Sequence, residues 1–356
     1  MERADTESTG PERAAERMRA TLGEIQARAR EGAAALAAWA QIESLQRKES
    51  SAAKPYYEVR LRDGGHAMTL RAWSDSPAFE ACAALTCGAA VEVTGEFFWN
   101  GAFGLDARRW SLRELDAGER ADFFDGGESA REASARRMDE LRGLLETVGD
   151  PRLRALCAAF LEEHGARFAR AAAARQNHHA RRGGLLEHTL QMLRTADALC
   201  GVYPALNRDL LLAGVLFHDA GKLWETCPPA EGFEIPRGVR GELLGHISIG
   251  IEVVNALWRG LPLADWAALE PASEDVRLHL LHLIASHHGE LEYGSPVEPK
   301  TPEAVALHHI DNIDARMEMF AAAYAGTPEI APGIHERLRP LGASPVRPLA
   351  KIPANE

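Results

Sequence analysis

The amino-acid sequence predicts a multidomain α and β chain, with a small antiparallel β-barrel followed by an all-α bundle. At 356 residues it is long enough for about two domains of ~100 to 200 residues each. Its hydrophobic period is two between about 35 and 113 and becomes helical beyond the middle of the chain. Thirteen of the fourteen histidines fall between His164 and His335, so imidazole belongs to the helical half.

Residues 1–34, rich in Ala, Arg and Glu, are expected to form a charged N-terminal arm, a frayed helix or a disordered segment with little apolar stripe. Residues 35–114 carry the strands. "WAQIESLQRK" supplies the first; in "YYEVRLR" Tyr57, Val59 and Leu61 alternate with Tyr56, Glu58, Arg60 and Arg62. "AMTLRAW" repeats the pattern, with Met68, Leu70 and Ala72 against Thr69, Arg71 and Trp73. The "DGG" at 63–65 joins the two as a hairpin. A short helix fits 77–86, and "AVEVTGEFFW" and "FGLDARRWSL" make two further strands around "NGAFG". Five strands with a helix between the third and fourth is the element order of an OB-fold barrel.

Residues 115–135 are polar and contain glycine, as expected of a linker. From 136 to 327 the helical period dominates, broken by loops near 201–207, 226–242, 260–273 and 289–301. Residues 328–356 carry six prolines, too many for a continuing helix, and are expected to be an extended tail.

Composition narrows the function classes. The chain is 46% hydrophobic and 26% charged, and has no apolar run near the ~20 residues that span a membrane. The charged N-terminus lacks the apolar core of a secretion signal, which makes a cytoplasmic location the expectation. Five scattered cysteines, with no CxxC pair, argue against a disulfide framework and a zinc ribbon. The net charge of -12 gives no long-range attraction for nucleic acid, so a polyanion site must be a local basic patch.

The chemistry concentrates in "GVLFHDAGKLWE", residues 214–225, where His218 and Asp219 interrupt an apolar run. His218 shares a helix face with Leu211 and Val215. His188 lies between Leu185 and Met192 in the same way, His246 between Leu243 and Gly250, and His287 and His288 follow Leu283 and Ile284. Asp311 lies four residues after Leu307 and three before Asp314. One such histidine is most simply a core residue bonded to a carbonyl. Several on inward faces are different, because buried carboxylates at 219 and 311 need cations and neutral imidazoles supply none. One or two divalent ions satisfy all of them together. Asp219 can bridge two ions, and ions ~3.5 to 4 Å apart suit in-line displacement at phosphorus. Lys222, one turn after His218, either faces that cavity, where its ammonium holds a phosphate or leaving oxygen, or solvates a helix end. Imidazole and carboxylate without thiolate suit Mn, Fe, Co or Zn, and Mg on the oxygen side.

His188, the His218 Asp219 doublet and Asp311 resemble, in order, the H…HD…D pattern of HD-domain phosphohydrolases. "GGLLEHTLQML", "HDAGK", "GHISIG", "SHHGELEYGSP" and "LHHIDNIDARM" together resemble the YhaM family of 3'-5' exoribonucleases, which also carries an N-terminal OB-fold. Over residues 35–325 the resemblance implies the metal ligands His188, His218, Asp219, His246, His287, His288 and Asp311, with Mn first among the candidate ions. Adjacent helical residues point ~100° apart, so only one of His287 and His288 is expected to ligate directly. Asp314 is expected to orient a ligand histidine. Asp219 and Lys222 would carry catalysis, and self-association is implied.

An exonuclease must also hold a single strand. Tyr56 and Trp73, interleaved with Arg60, Arg62 and Arg71, offer the stacking and charge that OB folds use, although barrel aromatics are more often core. "RFARAAAARQNHHARRGG" at 167–184 is a second basic stretch; Arg181 and Arg182 are expected to guide phosphate there, with His178 and His179 on the same surface. The resemblance implies stepwise release of nucleoside 5'-monophosphates from the 3' end of single-stranded RNA, by water attack that would also cut single-stranded DNA. Two other readings stay open: a phosphohydrolase of free or cyclic nucleotides, and a non-catalytic single-strand binding protein.

Overall fold

The computed structural model describes residues 19–101, 104–175, 179–233, 235 and 237–350. The chain divides into two compact units, Met1–Glu128 with Glu231–Phe233, and Ser129–Ala230 with Glu234–Glu356.

The first unit opens with α1 (Leu22–Glu31), which begins at a capping box: Glu24 N–H donates to the Thr21 hydroxyl and Thr21 N–H to the Glu24 carboxylate. Leu22, Ile25 and Ala29 are buried. Part of the expected arm is therefore a packed helix, and residues 1–18 lie outside the described residues. The sheet follows as β1 (Ala34–Glu49), β2 (Pro55–Arg62), β3 (Ala67–Trp73), α2 (Pro77–Ala84), β4 (Ala90–Asn100) and β5 (Gly104–Glu114). Its order is β3-β2-β1-β4-β5, with every pairing antiparallel. The edge strands β3 and β5 approach one another without a ladder, so the sheet is barrel-like and not closed. Val59, Leu61, Leu70, Val93, Phe97 and Trp110 fill it. At the 63–65 turn Asp63 accepts from the N–H groups of Gly65 and His66 and, from α1, Leu22.

The stretch expected to be a linker is helical. α3 (Ala117–Asp125) starts from a second capping box, Asp116 with Glu119, and α4 (Gly127–Glu146) follows after two glycines at positive φ. Phe123 and Phe124 pack on Phe233, a residue of this same unit.

The second unit continues α4 into α5 (Pro151–Arg170), α6 (Gly184–Val202), α7 (Arg208–Phe217), α8 (Val239–Arg259), α9 (Ser273–Ser286) and α10 (Pro302–Gly326). Every residue of α7 from Leu210 to Phe217 is buried, as in a helix with neighbours on all sides. It packs against α5, α6, α9 and α10. The described part of the proline-rich tail closes into a small hairpin, β6 (Glu329–Ala331) and β7 (Ile334–His335), which corrects a purely extended reading. No described helix is long and apolar enough to cross a membrane.

Candidate metal centre

The apolar α7 ends at Phe217, and its end delivers polar groups into the core. His218 caps the helix, and Asp219 opens a 3-10 turn, Ala220–Trp224, that carries Lys222. His218 is fully buried and Asp219 nearly so. Gly221 lies so close under the His246 carbonyl that a Cβ there would overlap it. That missing side chain lets α8 press on the turn and brings in His246. α6 supplies His188 from its buried face, and α10 supplies Asp311 and Asp314 one turn apart. His287 caps α9 and His288 follows it: their ring centroids are 4.4 Å apart, and both cluster with His246.

Asp219 stands between two groups. Its Oδ2 is 3.2 Å from His218 Nε2 and 3.8 Å from His188 Nε2, which in turn is 3.4 Å from Asp311 Oδ1. Its Oδ1 is 3.6 Å from His246 Nε2 and 3.7 Å from His287 Nε2. Lys222 Nζ donates to Oδ2 at 2.6 Å. One carboxylate thus turns one oxygen to His188, His218 and Asp311, and the other to the His246, His287 and His288 cluster.

Each imidazole is aimed by its other nitrogen. The Nδ1 of His218 donates to the Val215 carbonyl at 2.7 Å, that of His287 to Ile284 at 2.7 Å and that of His288 to Tyr293 at 2.8 Å. His188 Nδ1 donates to Asp314 Oδ2 at 2.6 Å and His246 Nδ1 to Glu225 Oε2 at 3.0 Å. A carbonyl only accepts, so these bonds place the proton on Nδ1 and leave Nε2 as a lone-pair donor. Burial resists charge on Asp219, but the Lys222 ammonium and His218 hold its carboxyl well below the usual carboxylate range. Burial, with the neighbouring histidines, holds His287 and His288 below the ordinary imidazole value. Asp314 resists burial because His179 and His188 donate to it, and it sits at about 2.

The residues fit divalent ions. Asp219 Oδ1 and His246 Nε2 are buried with no hydrogen-bond partner, an arrangement costly for polar atoms unless something else engages them. The surrounding atoms form two converging nitrogen and oxygen sets, suited to first-row ions and to Mg on the oxygen side.

All seven residues expected to ligate meet here, and both members of the His287 His288 pair face the site. Lys222 faces the cavity and does not solvate a helix end. Asp314 takes the orienting position expected of it. One expectation is corrected. His179 is buried, donating to Asp314 at 3.0 Å, and His178 lies outside the described residues. In the basic stretch, exposed Arg181 pairs with Glu187 and Glu318, Arg182 donates to the carbonyls of Pro229 and Ala230, and Arg167 and Arg175 to those of Leu223 and Glu225. The guanidinium N–H groups donate and the loop carbonyls accept. Sequence reasoning passed over Glu225 and placed His179 on the surface. Glu225 lies one turn past Lys222 in the same quoted run, the one available signal; nothing in sequence joined His179 to Asp314.

In the first unit Tyr56 and Trp73 are cross-strand partners with ring centroids 4.7 Å apart. Arg60 and Arg62 sit further along the same face and both pair with Glu43, while Arg71 stands opposite Glu58. Phe97 and Trp110 belong to the core.

Residues 185–316 match the family model described as HD domain. The chain is 33% identical over 283 residues to the 3'-5' exoribonuclease YhaM of Bacillus subtilis (strain 168), an alignment covering 79% of this chain and 85% of that protein. No solved structure matches.

Proposed function

The chain belongs to the family of the 3'-5' exoribonuclease YhaM, and on that premise we propose that it is a divalent-metal-dependent exonuclease that shortens single-stranded RNA from the 3' end. The observation that carries this reading is the placement of the two Asp219 oxygens against two separate sets of Nε2 atoms. His188, His218, Asp219 and Asp311 would hold one ion, and Asp219, His246, His287 and His288 a second, with Mn first among the candidates. When bound, such ions supply Lewis acidity at a phosphodiester and a water nucleophile near neutral pH.

The chain's own groups do the rest. The Nδ1 bonds keep each imidazole turned, so no reorganisation is needed as charge develops. Lys222, beside Asp219 Oδ2, offers an ammonium to a phosphate oxygen or to the leaving oxygen. Water as nucleophile makes no use of a 2'-hydroxyl, so single-stranded DNA is also a substrate and the products are nucleoside 5'-monophosphates. The Tyr56–Trp73 pair, with Arg60, Arg62 and Arg71 along the same face, is the strand-holding surface of the first unit. Its Arg–Glu pairing makes stacking, more than net charge, the source of grip. Arg181, exposed beside Glu187 and Glu318, and Arg182 are the guide for phosphate in this reading, and the cytoplasm is its place of action.

RNA labelled at either end tests the proposal. With Mn, a 5' label should move down a ladder of shortening chains while a 3' label is released at once as mononucleotide. Asp219→Ala should lose more than about 10²-fold of the rate, the cost of removing even one group that stabilises developing charge. Inert RNA beside hydrolysed free or cyclic nucleotides would favour the phosphohydrolase reading. Binding without turnover at any metal concentration would favour the binding protein.

A further inference from the structure

The segment after His288 is fixed and yet exposes large apolar side chains. Gly289, at φ +82°, lies against the His308 ring so closely that a Cβ would overlap it. A 3-10 turn, Leu291–Tyr293, follows, with Tyr293 N–H donating to Glu290 at 3.1 Å and Gly294 N–H to Leu291 at 3.0 Å. The buried Ser295 hydroxyl bonds the Val297 carbonyl at 2.7 Å. On its inner side the Tyr293 carbonyl receives the His288 Nδ1 proton. Despite this anchoring, Leu291 is 61% and Tyr293 63% exposed.

The segment leading to His246 does the same, with Leu243 77% and Leu244 50% exposed. The His246 and His288 rings are 5.1 Å apart, so both apolar segments adjoin one end of the candidate metal centre. Single exposed apolar residues are ordinary; four in two segments joined by facing histidines are not. A ligand that suits this border is flat and apolar at one end and anionic at the other, which describes a nucleotide.

Resting on the exonuclease reading, we propose that Tyr293 is the stacking platform for the base of the 3'-terminal nucleotide. The terminal phosphodiester then lies toward the histidines while the base stays outside the metal pocket. Stacking tolerates every base, since each has a π-face, and so permits stepwise removal without sequence choice.

The test compares a 5'-labelled oligoadenylate with the same chain ending in an abasic nucleotide, under single turnover with Mn. Wild type should remove the base-bearing terminus about 5- to 100-fold faster, the span of one base–aromatic stack. Tyr293→Ala should bring that ratio close to one by slowing only the base-bearing chain, and Tyr293→Phe should keep it. Tyr293→Ala that retains the wild-type ratio, whether or not both rates fall, overturns the stacking role while leaving the exonuclease reading intact. Wild type that shortens neither chain overturns both.

Discussion

Asp219 is the residue on which the account turns, and its neighbours make separable predictions. Glu225 and Asp314 touch the centre only through His246 and His188, each holding an Nδ1 proton. Glu225→Ala should therefore weaken Mn binding by about 10- to 100-fold, the usual cost of losing such a partner, with the thermal midpoint of the metal-free protein little changed. Titration calorimetry checks this; unaltered affinity would remove Glu225 from the centre. Much of the site was legible from sequence, because inward ionisable residues at helical spacing are costly without a shared cation. His188 and His218 share helix faces with buried apolar residues, as their spacing predicts, and Asp219 follows from its place beside His218; for His246 the spacing misled, because Leu243 is exposed and Gly245 breaks the helix between them. The supporting shell was less legible. His179 reaches Asp314 across 135 residues of chain, and for the arginines of 167–182 sequence shows their charge and not the loop carbonyls that accept from them.

At the scale of elements, helix starts and close approaches decide where the ligands sit. α5 begins at Asp150, whose carboxylate accepts from the N–H groups of Arg152 and Leu153 and pairs with the buried Arg152 guanidinium. Asp150→Ala removes the cap and leaves that guanidinium without its carboxylate, and should cost about 3 to 5 kcal/mol in denaturant unfolding. Burial pushes the Asp150 carboxyl up, but Arg152 and the helix N–H groups hold it below its ordinary 3.8. Its contribution is thus fully present above about pH 4 and is lost as pH falls below that value; the Asp150→Ala variant should lack this part of the acid transition. Gly221→Ala, by forcing the His246 carbonyl away, should destabilise by about 1 to 3 kcal/mol and weaken metal binding together, which a conservative surface change would not do. The packed α1 was legible only as a frayed helix or a disordered arm, and α3 was read as linker, because their polar composition masked capping boxes, Thr21 with Glu24 and Asp116 with Glu119. Strands and inward helices were legible because both faces of each pattern repeat.

For the whole molecule, the change of hydrophobic period marked the two kinds of architecture, and the five strands fall in the expected order. What period could not supply was closure: whether β3 and β5 pair depends on sheet curvature, which no local pattern encodes. Nor could it reveal that Phe233, far along the chain, groups with the first unit. The second unit gathers its polar centre from α6, α7, α8, α9 and α10, so ions bound there tie together segments spread over more than a hundred residues. At a hundredfold excess over Kd, each bound Mn should stabilise the fold by about 2.7 kcal/mol, read as a concentration-dependent rise in the thermal midpoint that Asp219→Ala abolishes. The most direct test is the metal content of purified protein after incubation with Mn and removal of free ion. About two Mn per chain in the wild type, as a bridged pair requires, and almost none in Asp219→Ala is the expected result; a wild type that retains no ion, or a variant that retains as much, would contradict it.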